Sequence, residues 1–397
     1  MNKEQLDRLL DAMVQSADGV SDLVFVTGRP MQVETQGELK PFVHELAVPA
    51  LTSEYIEAMA GVIIDKKPRL LLDLKEQGSC DCGYTLKSAC RFRVNIYFEN
   101  GNYAMVMRHL KPLIPTFESL KLSPVFHEII KEKNGIIFVT GGTGMGKTTT
   151  IAAMLNEINK TRDIHVLTLE DPIEFVFTPV RATFSQRELG RDFYSFHKGM
   201  RAAMRESPKV IFIGEIRDRE TMEIVLSAGE TGHLVFSTLH TTSAAMTVNR
   251  IVGMFGTDEE TQVRERLAGA MRYVISLRLV PAISGGRLLA TEMMGSNLRT
   301  REAILMGEAE GRHLDDIIEA GSVYGWHSFE QSLFKAYEQD LITDETALLY
   351  CSNKMKMVQR LDTLSLKKPR KGSHDTSILF ANLKMQEEEK NRNKPKQ

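Results

Sequence analysis

The stretch IIFVTGGTGMGKTTT, residues 136–150, places a glycine-rich loop directly after an apolar run. The run IIFVT predicts a short buried strand, and TTTIAAMLNEIN, residues 148–159, predicts a helix. Between them, Gly141–Thr148 fits the pattern G-x-x-x-x-G-K-[ST], which is typical of a loop that binds phosphate between a strand and a helix. The flanking strand and helix distinguish this loop from a chance glycine-rich turn.

The loop predicts a nucleoside triphosphate, ATP, with Mg²⁺ as the cofactors. Its glycines let backbone N–H groups close around the phosphates, and the helix N-terminus adds positive potential. Lys147 is expected to reach the β- and γ-phosphates, and the Thr148 hydroxyl to ligate Mg²⁺. The predicted nucleotide-binding residues are Gly141, Gly142, Thr143, Gly144, Met145, Gly146, Lys147, Thr148 and Thr149.

Composition indicates an ordinary globular protein of about two domains. The chain has 397 residues, of which 42% are hydrophobic and 26% charged, and its net charge is -2. This balance provides no bulk attraction to nucleic acid, so no nucleic-acid partner is expected. The N-terminus predicts an amphipathic helix rather than a signal peptide. The four cysteines contain no CxxC pair, which favours free thiols in the cytoplasm over a metal site.

The chain is expected to have an α/β fold built from successive segments. Apolar alternation around two turn signals predicts an α+β domain with an antiparallel sheet over residues 1–110, followed by a proline-containing linker at 111–117. Four apolar runs alternating with helical stretches predict a parallel sheet, covered on both faces, over 118–295. Residues 296–366 are expected to form a small helical region. Residues 367–397 are expected to be disordered, with SILFANL (377–383) either incidental or a docking peptide.

Acidic residues follow two of the apolar runs, where the ligand crevice of a parallel sheet forms. LEDPIE, residues 169–174, ends in Glu174, and VIFIGEIRD, residues 210–218, has Gly214 where a Walker B strand ordinarily has Asp, followed by Glu215. Carboxylates at these points can position Mg²⁺ or polarise water. The simpler interpretations are a solvated acidic turn for the first stretch and a buried strand that ends in a turn for the second.

Two histidines flank the fourth apolar run, in ETGHLVFSTLHTTSA, residues 230–244. His233 precedes the run and His240 ends it, so the two are expected near opposite ends of a strand and not on one metal ion. Each imidazole is either a hydrogen-bonded structural group or a sensor that contacts the γ-phosphate or a neighbouring loop.

Three arginines are candidates for charge stabilisation. Arg91 and Arg93 lie two residues apart in CRFRVN and therefore on one face of a strand, and Arg108 lies on the next strand-like run. Surface ion pairs are the simpler interpretation. Phosphoryl transfer, however, needs positive charge at the γ-phosphate, which an arginine from another domain or subunit often supplies.

Four stretches in fixed order, GGTGMGKTTT, LTLEDPIEF, VIFIGEIRD and TGHLVFSTLHTTSA, together resemble the secretion ATPase superfamily that drives type IV pili and type II secretion. The last three resemble its Asp box, atypical Walker B motif and His box. The stretches SDLVFVTGRPMQV and CRFRVN resemble the N-terminal domain of the retraction branch, the PilT/PilU family of twitching-motility ATPases. The resemblance covers residues 1 to about 365.

The resemblance implies a PAS-like N-terminal domain, a RecA-like P-loop core and a small C-terminal helical bundle. It implies a cytoplasmic homo-hexamer at the inner-membrane base of the pilus machine, where ATP hydrolysis moves an inner-membrane platform protein. It also implies roles for the candidates. Glu174 is the expected base, Glu215 holds Mg²⁺ through water or is the base instead, His233 and His240 sense the γ-phosphate, and Arg91, Arg93 and Arg108 stabilise charge without a ranking.

The paired cysteines of the extension and type II secretion ATPases are absent, which favours the retraction branch. Within that branch, two departures from PilT place the chain nearer to PilU: the retraction motif AIRNLI is not intact in residues 297–311, and the tail is long. Met145 stands where PilT commonly has Ser. These features imply an accessory motor that works with a PilT-like ATPase. A mainly structural, force-coupling subunit with weak hydrolysis remains the alternative, and a DNA translocase is disfavoured by the near-neutral charge.

Overall fold

The computed structural model describes residues 1–35, 37–65, 67–88, 90–110, 113–309 and 313–367. These residues form two compact units. The first unit combines Met1–Ser119 with Thr148–Phe236, and the second combines Leu120–Lys147 with the described residues from Ser237 onward.

The predicted domain boundaries at 110, 117, 295 and 366 remain predictions. Two residues of the predicted linker, Lys111 and Pro112, lie outside the described residues. So does the predicted disordered tail with its SILFANL segment, apart from Lys367, which is the last residue of the final helix.

The N-terminal part of the first unit is an α+β arrangement, as the sequence predicts. Its antiparallel six-stranded sheet has the strand order β3-β2-β1-β6-β5-β4. The elements are α1 (Lys3–Gln15), β1 (Val20–Val26), β2 (Gln32–Thr35), β3 (Glu38–Pro41), α2 (Ser53–Ile64), α3 (Pro68–Gln77), β4 (Ser79–Thr85), β5 (Arg91–Glu99) and β6 (Asn102–Leu110).

Turn chemistry and apolar periodicity explain these elements. Asn100 and Gly101, between β5 and β6, both have positive φ, 49° and 78°, as Asn-Gly hairpin turns do. Helix α1 buries Leu6, Leu9, Leu10 and Met13, which the helical spacing predicts. Cys80 and Cys82 point into this core, and burial raises the pKa of their thiols to about 11 and about 12.

A second, seven-stranded sheet has the order β13-β12-β7-β11-β10-β8-β9. Strand β8 pairs in parallel with β10 and β9, and β12 pairs in parallel with β7 and antiparallel with β13. Its elements and their covering helices are α4 (Val125–Ile129), β7 (Gly135–Thr140), α5 (Lys147–Thr161), β8 (His165–Glu170), β9 (Thr183–Glu188), α6 (Phe196–Ala203), β10 (Val210–Ile213), α7 (Arg219–Glu230), β11 (Leu234–Leu239), α8 (Ala244–Val252), α9 (Glu260–Ala270), β12 (Met271–Pro281) and β13 (Arg287–Gly295).

The four apolar runs of the sequence are the interior strands β7, β8, β10 and β11, and nearly every residue in them is buried. Three further strands were not predicted. One of them, strand β9, reads TFSQRE and lies at the sheet edge. An edge strand is only partly covered and tolerates polar side chains, so β9 has no apolar run that would predict it.

Helices follow the second sheet, in agreement with the predicted C-terminal helical region. Phe329, Leu333, Met357 and Leu361 form part of their apolar core. The Arg278 guanidinium of β12 lies 3.7 Å from the Phe329 ring centroid and donates to Ser352 Oγ at 2.8 Å. The elements are α10 (Leu298–Met306), α11 (Leu314–Ala320), a 3₁₀ turn (Ser322–Tyr324), α12 (Phe329–Glu338), α13 (Asp344–Tyr350) and α14 (Lys354–Lys367). Over the part of the chain that the structure describes, no helix has the length and apolarity to cross a membrane.

Candidate functional site

The glycine-rich loop joins β7 to α5 as its sequence predicts. Gly141, Gly144 and Gly146 have φ values of 143°, 76° and 88°, in a region that favours glycine. At Gly141 a Cβ would also lie 2.7 Å from the carbonyl oxygen of Leu277, so β12 approaches the loop too closely for any side chain. The loop conformation therefore depends on its glycines.

Two side chains of the loop hold its shape from within. Lys147 Nζ donates to the carbonyl oxygens of Gly141 and Gly142, at 2.8 and 2.9 Å. The backbone N–H of Leu279 donates to Met145 Sδ at 3.4 Å, so this methionine packs the loop against β12. Thr143 and Gly144 are exposed, while Thr148 and Thr149, at the start of α5, are half-buried. The loop is open to a ligand at its tip and at the helix N-terminus.

A buried carboxyl group lies at the carboxyl end of β8. Glu170 accepts hydrogen bonds from Thr168 Oγ1 at 2.6 Å, from Gln186 Nε2 at 3.3 Å and from the backbone N–H of Glu174. Burial, with a smaller contribution from the charge of Glu174, raises the pKa of Glu170 to about 7 despite these bonds. Glu174 itself is half-buried and follows in the next loop, close to the Glu170 carboxyl.

The second acidic stretch lies beside the first. The backbone N–H of Gly214, just after β10, donates to the carbonyl oxygen of Leu169 in β8 at 2.8 Å. Glu215 then projects a carboxylate that accepts from the Arg217 guanidinium. Sequence reasoning missed Arg217, although its position two residues after the acid in GEIRD was a usable signal. Because β8 and β10 are parallel neighbours, the stretches bearing Glu174 and Glu215 both start at the same edge of the sheet.

The two histidines lie at opposite ends of β11, as predicted. His233 precedes the strand, and its Nδ1 donates to the carbonyl oxygen of Ala228, in the last turn of α7, at 3.2 Å. His240 follows the carboxyl end of the strand and is exposed. Within the first unit, His233 thus lies before the amino end of its strand, whereas Glu174 and Glu215 follow the carboxyl ends of theirs. Its visible role is to satisfy a helix end.

The three arginines differ in their surroundings. Arg91 and Arg93 share one face of β5, because Phe92 and Val94 between and after them are buried on the other. Arg91 forms a buried ion pair with Glu188 of β9. Arg93 lies 3.9 Å from Asp81, and Arg108, opposite Arg93 in register, pairs with Asp22 at 3.0 Å. Arg93 and Arg108 are exposed, and Arg91 is not.

In the first unit, nearby charged side chains affect the pKa of Asp171, which directly follows β8. Burial raises the pKa of Asp171, while the positive charges of Arg217, Arg69 and Arg93 lower it. Several acidic residues therefore lie near the carboxyl ends of β8 and β10, and nearby arginines partly balance their negative charge. Among the described residues, no group of three or more His, Cys, Asp or Glu side chains could hold a metal ion by itself.

Comparison with known proteins places this architecture in a family. The family model "Type II/IV secretion system protein" matches residues 87–310, more than half of the chain. The chain is 37% identical to the type IV pilus retraction ATPase PilT of Pseudomonas aeruginosa over 329 residues, 83% of this chain and 93% of that protein. It is 31% identical to the type IV pilus ATPase PilU of the same organism over 364 residues, 91% and 93% of the two chains.

Similarity to a solved structure supports the same family. A crystal structure of the pilus retraction motor PilT with bound ADP superposes with a TM-score of 0.79 at 36% identity, covering 90% of this chain and 99% of that chain. The predicted fold class is thereby confirmed, with an N-terminal β domain, a P-loop core and a helical C-terminal region. The identities do not support the predicted position nearer to PilU, since 37% to PilT exceeds 31% to PilU. The chain belongs to the type II/IV secretion ATPase family and is a PilT/PilU-like type IV pilus ATPase.

Proposed function

We propose that this protein is a motor that couples ATP hydrolysis to type IV pilus retraction and twitching motility. The observation that carries the proposal is the match to the ADP-bound retraction motor over 90% of the chain, with the phosphate loop on α5 intact. By analogy with this family, the working form is a homo-hexamer at the cytoplasmic face of the inner membrane. The platform protein of the pilus machine is its mechanical partner.

The loop geometry supports binding of ATP with Mg²⁺. The N–H groups of the loop and of the first turn of α5 face the phosphates, and Lys147 exchanges its two loop carbonyl partners for phosphate oxygens. Thr148 offers one hydroxyl, and Glu215 offers a carboxylate through water. A few protein ligands with phosphate and water oxygens suit Mg²⁺, which does not require an all-protein cage. When bound, Mg²⁺ neutralises charge that develops on the phosphate oxygens.

We assign the base to Glu174 and the water-mediated Mg²⁺ contact to Glu215. Glu174 is half-buried beside Glu170, and Glu215 lies under the positive charge of Arg217. The Arg217 guanidinium already occupies an oxygen of the Glu215 carboxylate, which favours Glu174 as the base. His240, exposed after β11, is the better placed candidate for a γ-phosphate sensor, and Arg93 and Arg108 are the accessible candidates for charge stabilisation.

Removing the loop lysine tests the enzymatic claim. Lys147→Ala is expected to abolish ATP hydrolysis by the assembled protein, because the phosphates lose their fixed cation. Lys160→Ala is the matched control, since Lys160 lies on the same helix in a surface pair with Glu157. Hydrolysis by Lys147→Ala at the rate of the control would contradict the proposal.

A second candidate function is an accessory, force-coupling subunit of a PilT-driven complex. The favouring observation is that the PilU alignment spans 91% of this chain against 83% for PilT. Lys147→Ala in a bacterium that retains active PilT separates the two. Complete loss of retraction indicates an autonomous motor, and retained retraction indicates coupling to PilT.

A further inference from the structure

Arg91 and Glu188 form a buried ion pair between the N-terminal sheet and strand β9. Only 11% of the arginine side chain and 4% of the glutamate side chain are exposed. A guanidinium at this depth is costly unless its donors are satisfied. Arg91 Nη2 donates to Glu188, Nη1 donates to Thr85 Oγ1 at 3.3 Å and Nε donates to the carbonyl oxygen of Ile173 at 2.8 Å.

Both members of the pair hold the peptide groups of Ile173, the residue directly before Glu174. Arg91 binds the carbonyl oxygen of Ile173, and Glu188 Oε2 accepts the N–H of Ile173 at 3.3 Å. Ile173 is itself buried. Arg91 therefore holds the peptide group that leads into Glu174, and Glu188 holds the peptide group before it, through side chains that are paired with each other.

Side chains also hold the backbone of the loop from Glu174 to Phe177 by hydrogen bonds. Glu170 accepts the N–H of Glu174, Gln186 Nε2 donates to the carbonyl oxygen of Phe175 at 2.7 Å, and Gln186 Oε1 accepts the N–H of Phe177 at 2.9 Å. Glu170, Gln186 and Glu188 belong to the segment 148–236, whereas Arg91 comes from the N-terminal sheet. Arg91 thus brings that sheet into contact with the loop that carries the proposed base.

Strand β4 leaves space for the pair at Gly83. A Cβ added to Gly83 would lie 2.8 Å from Arg91 Nη2 and 2.8 Å from Glu188 Oε2. The backbone of Gly83 does not require positive φ, so alanine is compatible with the strand itself. Glycine at this position therefore serves the ion pair rather than the strand.

We propose that Arg91 is a positioning residue, which acts through Ile173 and Glu188 to fix Glu174 against the attacking water. The inference rests on the proposed function and separates Arg91 from Arg93 and Arg108, whose guanidinium groups form ion pairs with Asp81 and Asp22 but are exposed to solvent. It also gives the N-terminal sheet a direct influence on the rate of the chemical step, because a shift of the sheet moves Arg91 and with it the Glu174 loop.

Three variants of the full-length, assembled protein test this inference. Arg91→Gln removes the charge and the Nε donor, Arg91→Lys keeps the charge but loses the planar fork, and Gly83→Ala keeps both charges and displaces the pair. Arg181→Gln is the matched control, because Arg181 precedes the same strand β9 and pairs with the exposed Asp163.

The expected result is a fall in kcat with little change in KM for ATP. Misplacing a catalytic group by about 1 Å costs about 100-fold in rate, so Arg91→Gln is expected to lose about 10- to 100-fold in kcat, with smaller losses for Arg91→Lys and Gly83→Ala. ADP affinity should stay within about threefold of wild type in every variant, since the guanidinium donors of Arg91 are engaged by Ile173, Thr85 and Glu188. Hydrogen exchange at the Ile173 and Glu174 amides should accelerate in the three variants and not in the control.

Other outcomes overturn the inference. Wild-type kcat in Arg91→Gln and Gly83→Ala would show that the pair does not position the base, and weakened ADP binding with normal kcat would make Arg91 a phosphate ligand. If Arg91→Gln does not assemble, Gly83→Ala decides alone. The proposed function is judged separately by the Lys147→Ala comparison. If the wild type hydrolyses ATP and the Arg91 variants keep the wild-type kcat, only the inference is rejected. Unchanged amide exchange rejects it whether or not the wild type hydrolyses ATP.

Discussion

The carboxyl group of Glu170 accepts the backbone N–H of Glu174, so a buried acid supports the loop that bears the proposed base. The two carboxyl groups lie in different environments, because Glu170 is buried and Glu174 is not fully buried. Glu170 has its pKa raised to about 7, whereas Glu174 is half-buried in the following loop. Neighbouring carboxyl groups in unlike environments are a common arrangement for proton transfer.

Glu170→Gln is expected to change the dependence of stability on pH. The folded pKa of about 7 exceeds the ordinary value of 4.5, so the folded protein binds more protons than the unfolded chain between these pH values. Stability contributed by this group therefore falls as pH rises through that window, by about 3 kcal/mol in total, and glutamine removes the dependence.

Urea unfolding of wild type and Glu170→Gln at pH 5 and pH 8 measures this difference. Glu292, whose pKa burial also raises to about 7, is present in both proteins, so its contribution cancels. If the free energies of unfolding of the two proteins change in parallel between these pH values, Glu170 does not titrate as argued.

Two adjacent glycines of the phosphate loop should respond differently to alanine. Gly141→Ala combines a positive φ with a Cβ 2.7 Å from the Leu277 carbonyl oxygen, and we expect a loss of about 2 kcal/mol in stability together with weak ATP binding. At Gly142 a Cβ would meet Met145 Cγ at an ordinary 3.7 Å. Thermal unfolding and nucleotide titration of both variants check this, and equal effects would contradict it.

The two histidines should separate into a structural and a functional group. His233→Ala removes one of several donors to the Ala228 carbonyl oxygen, which also accepts from the backbone N–H groups of Thr231 and His233, and should cost at most about 1 kcal/mol in stability. His240→Ala changes an exposed side chain and should alter the free energy of unfolding by less than about 0.5 kcal/mol while lowering ATP turnover. The reverse pattern, with a stability loss only in His240→Ala, would reject the assignment.

Arg217→Gln should lower the Mg²⁺ concentration needed for half-maximal hydrolysis. The Arg217 guanidinium competes with hydrated Mg²⁺ for the Glu215 carboxylate, and because the arginine is largely exposed we expect only about a threefold effect. ATPase assays over a Mg²⁺ series measure it, with Arg219→Gln, the first residue of α7, for comparison. A higher Mg²⁺ requirement would indicate that Glu215 does not hold the ion.

The interior strands and the phosphate loop could be predicted from the sequence because their signals are local. An apolar run such as VIFI and a glycine pattern such as GGTGMGKTTT depend only on neighbouring residues. The positions of His233 and His240 at opposite ends of β11 also follow from spacing alone.

The contacts that distinguish the candidate residues could not be predicted, because they join distant parts of the chain. Glu188 lies in a polar edge strand without an apolar pattern, and its partner Arg91 is 97 residues away. The three arginines therefore looked equivalent in sequence. The difference in burial among the three arginines arises from packing. Gly83 contributes to it because it has no side chain that would collide with Arg91.

The distance between Arg91 and Glu188 along the chain also bears on how the protein is made. Within the part of the chain that the structure describes, strands β1–β6 pair with one another and with no later strand, so their sheet is complete in sequence by Leu110. Domains generally fold as units while synthesis proceeds. The carboxylate partner of Arg91 is translated 97 residues after Arg91 itself, so the contacts around Gly83 can form only after β9 has been made.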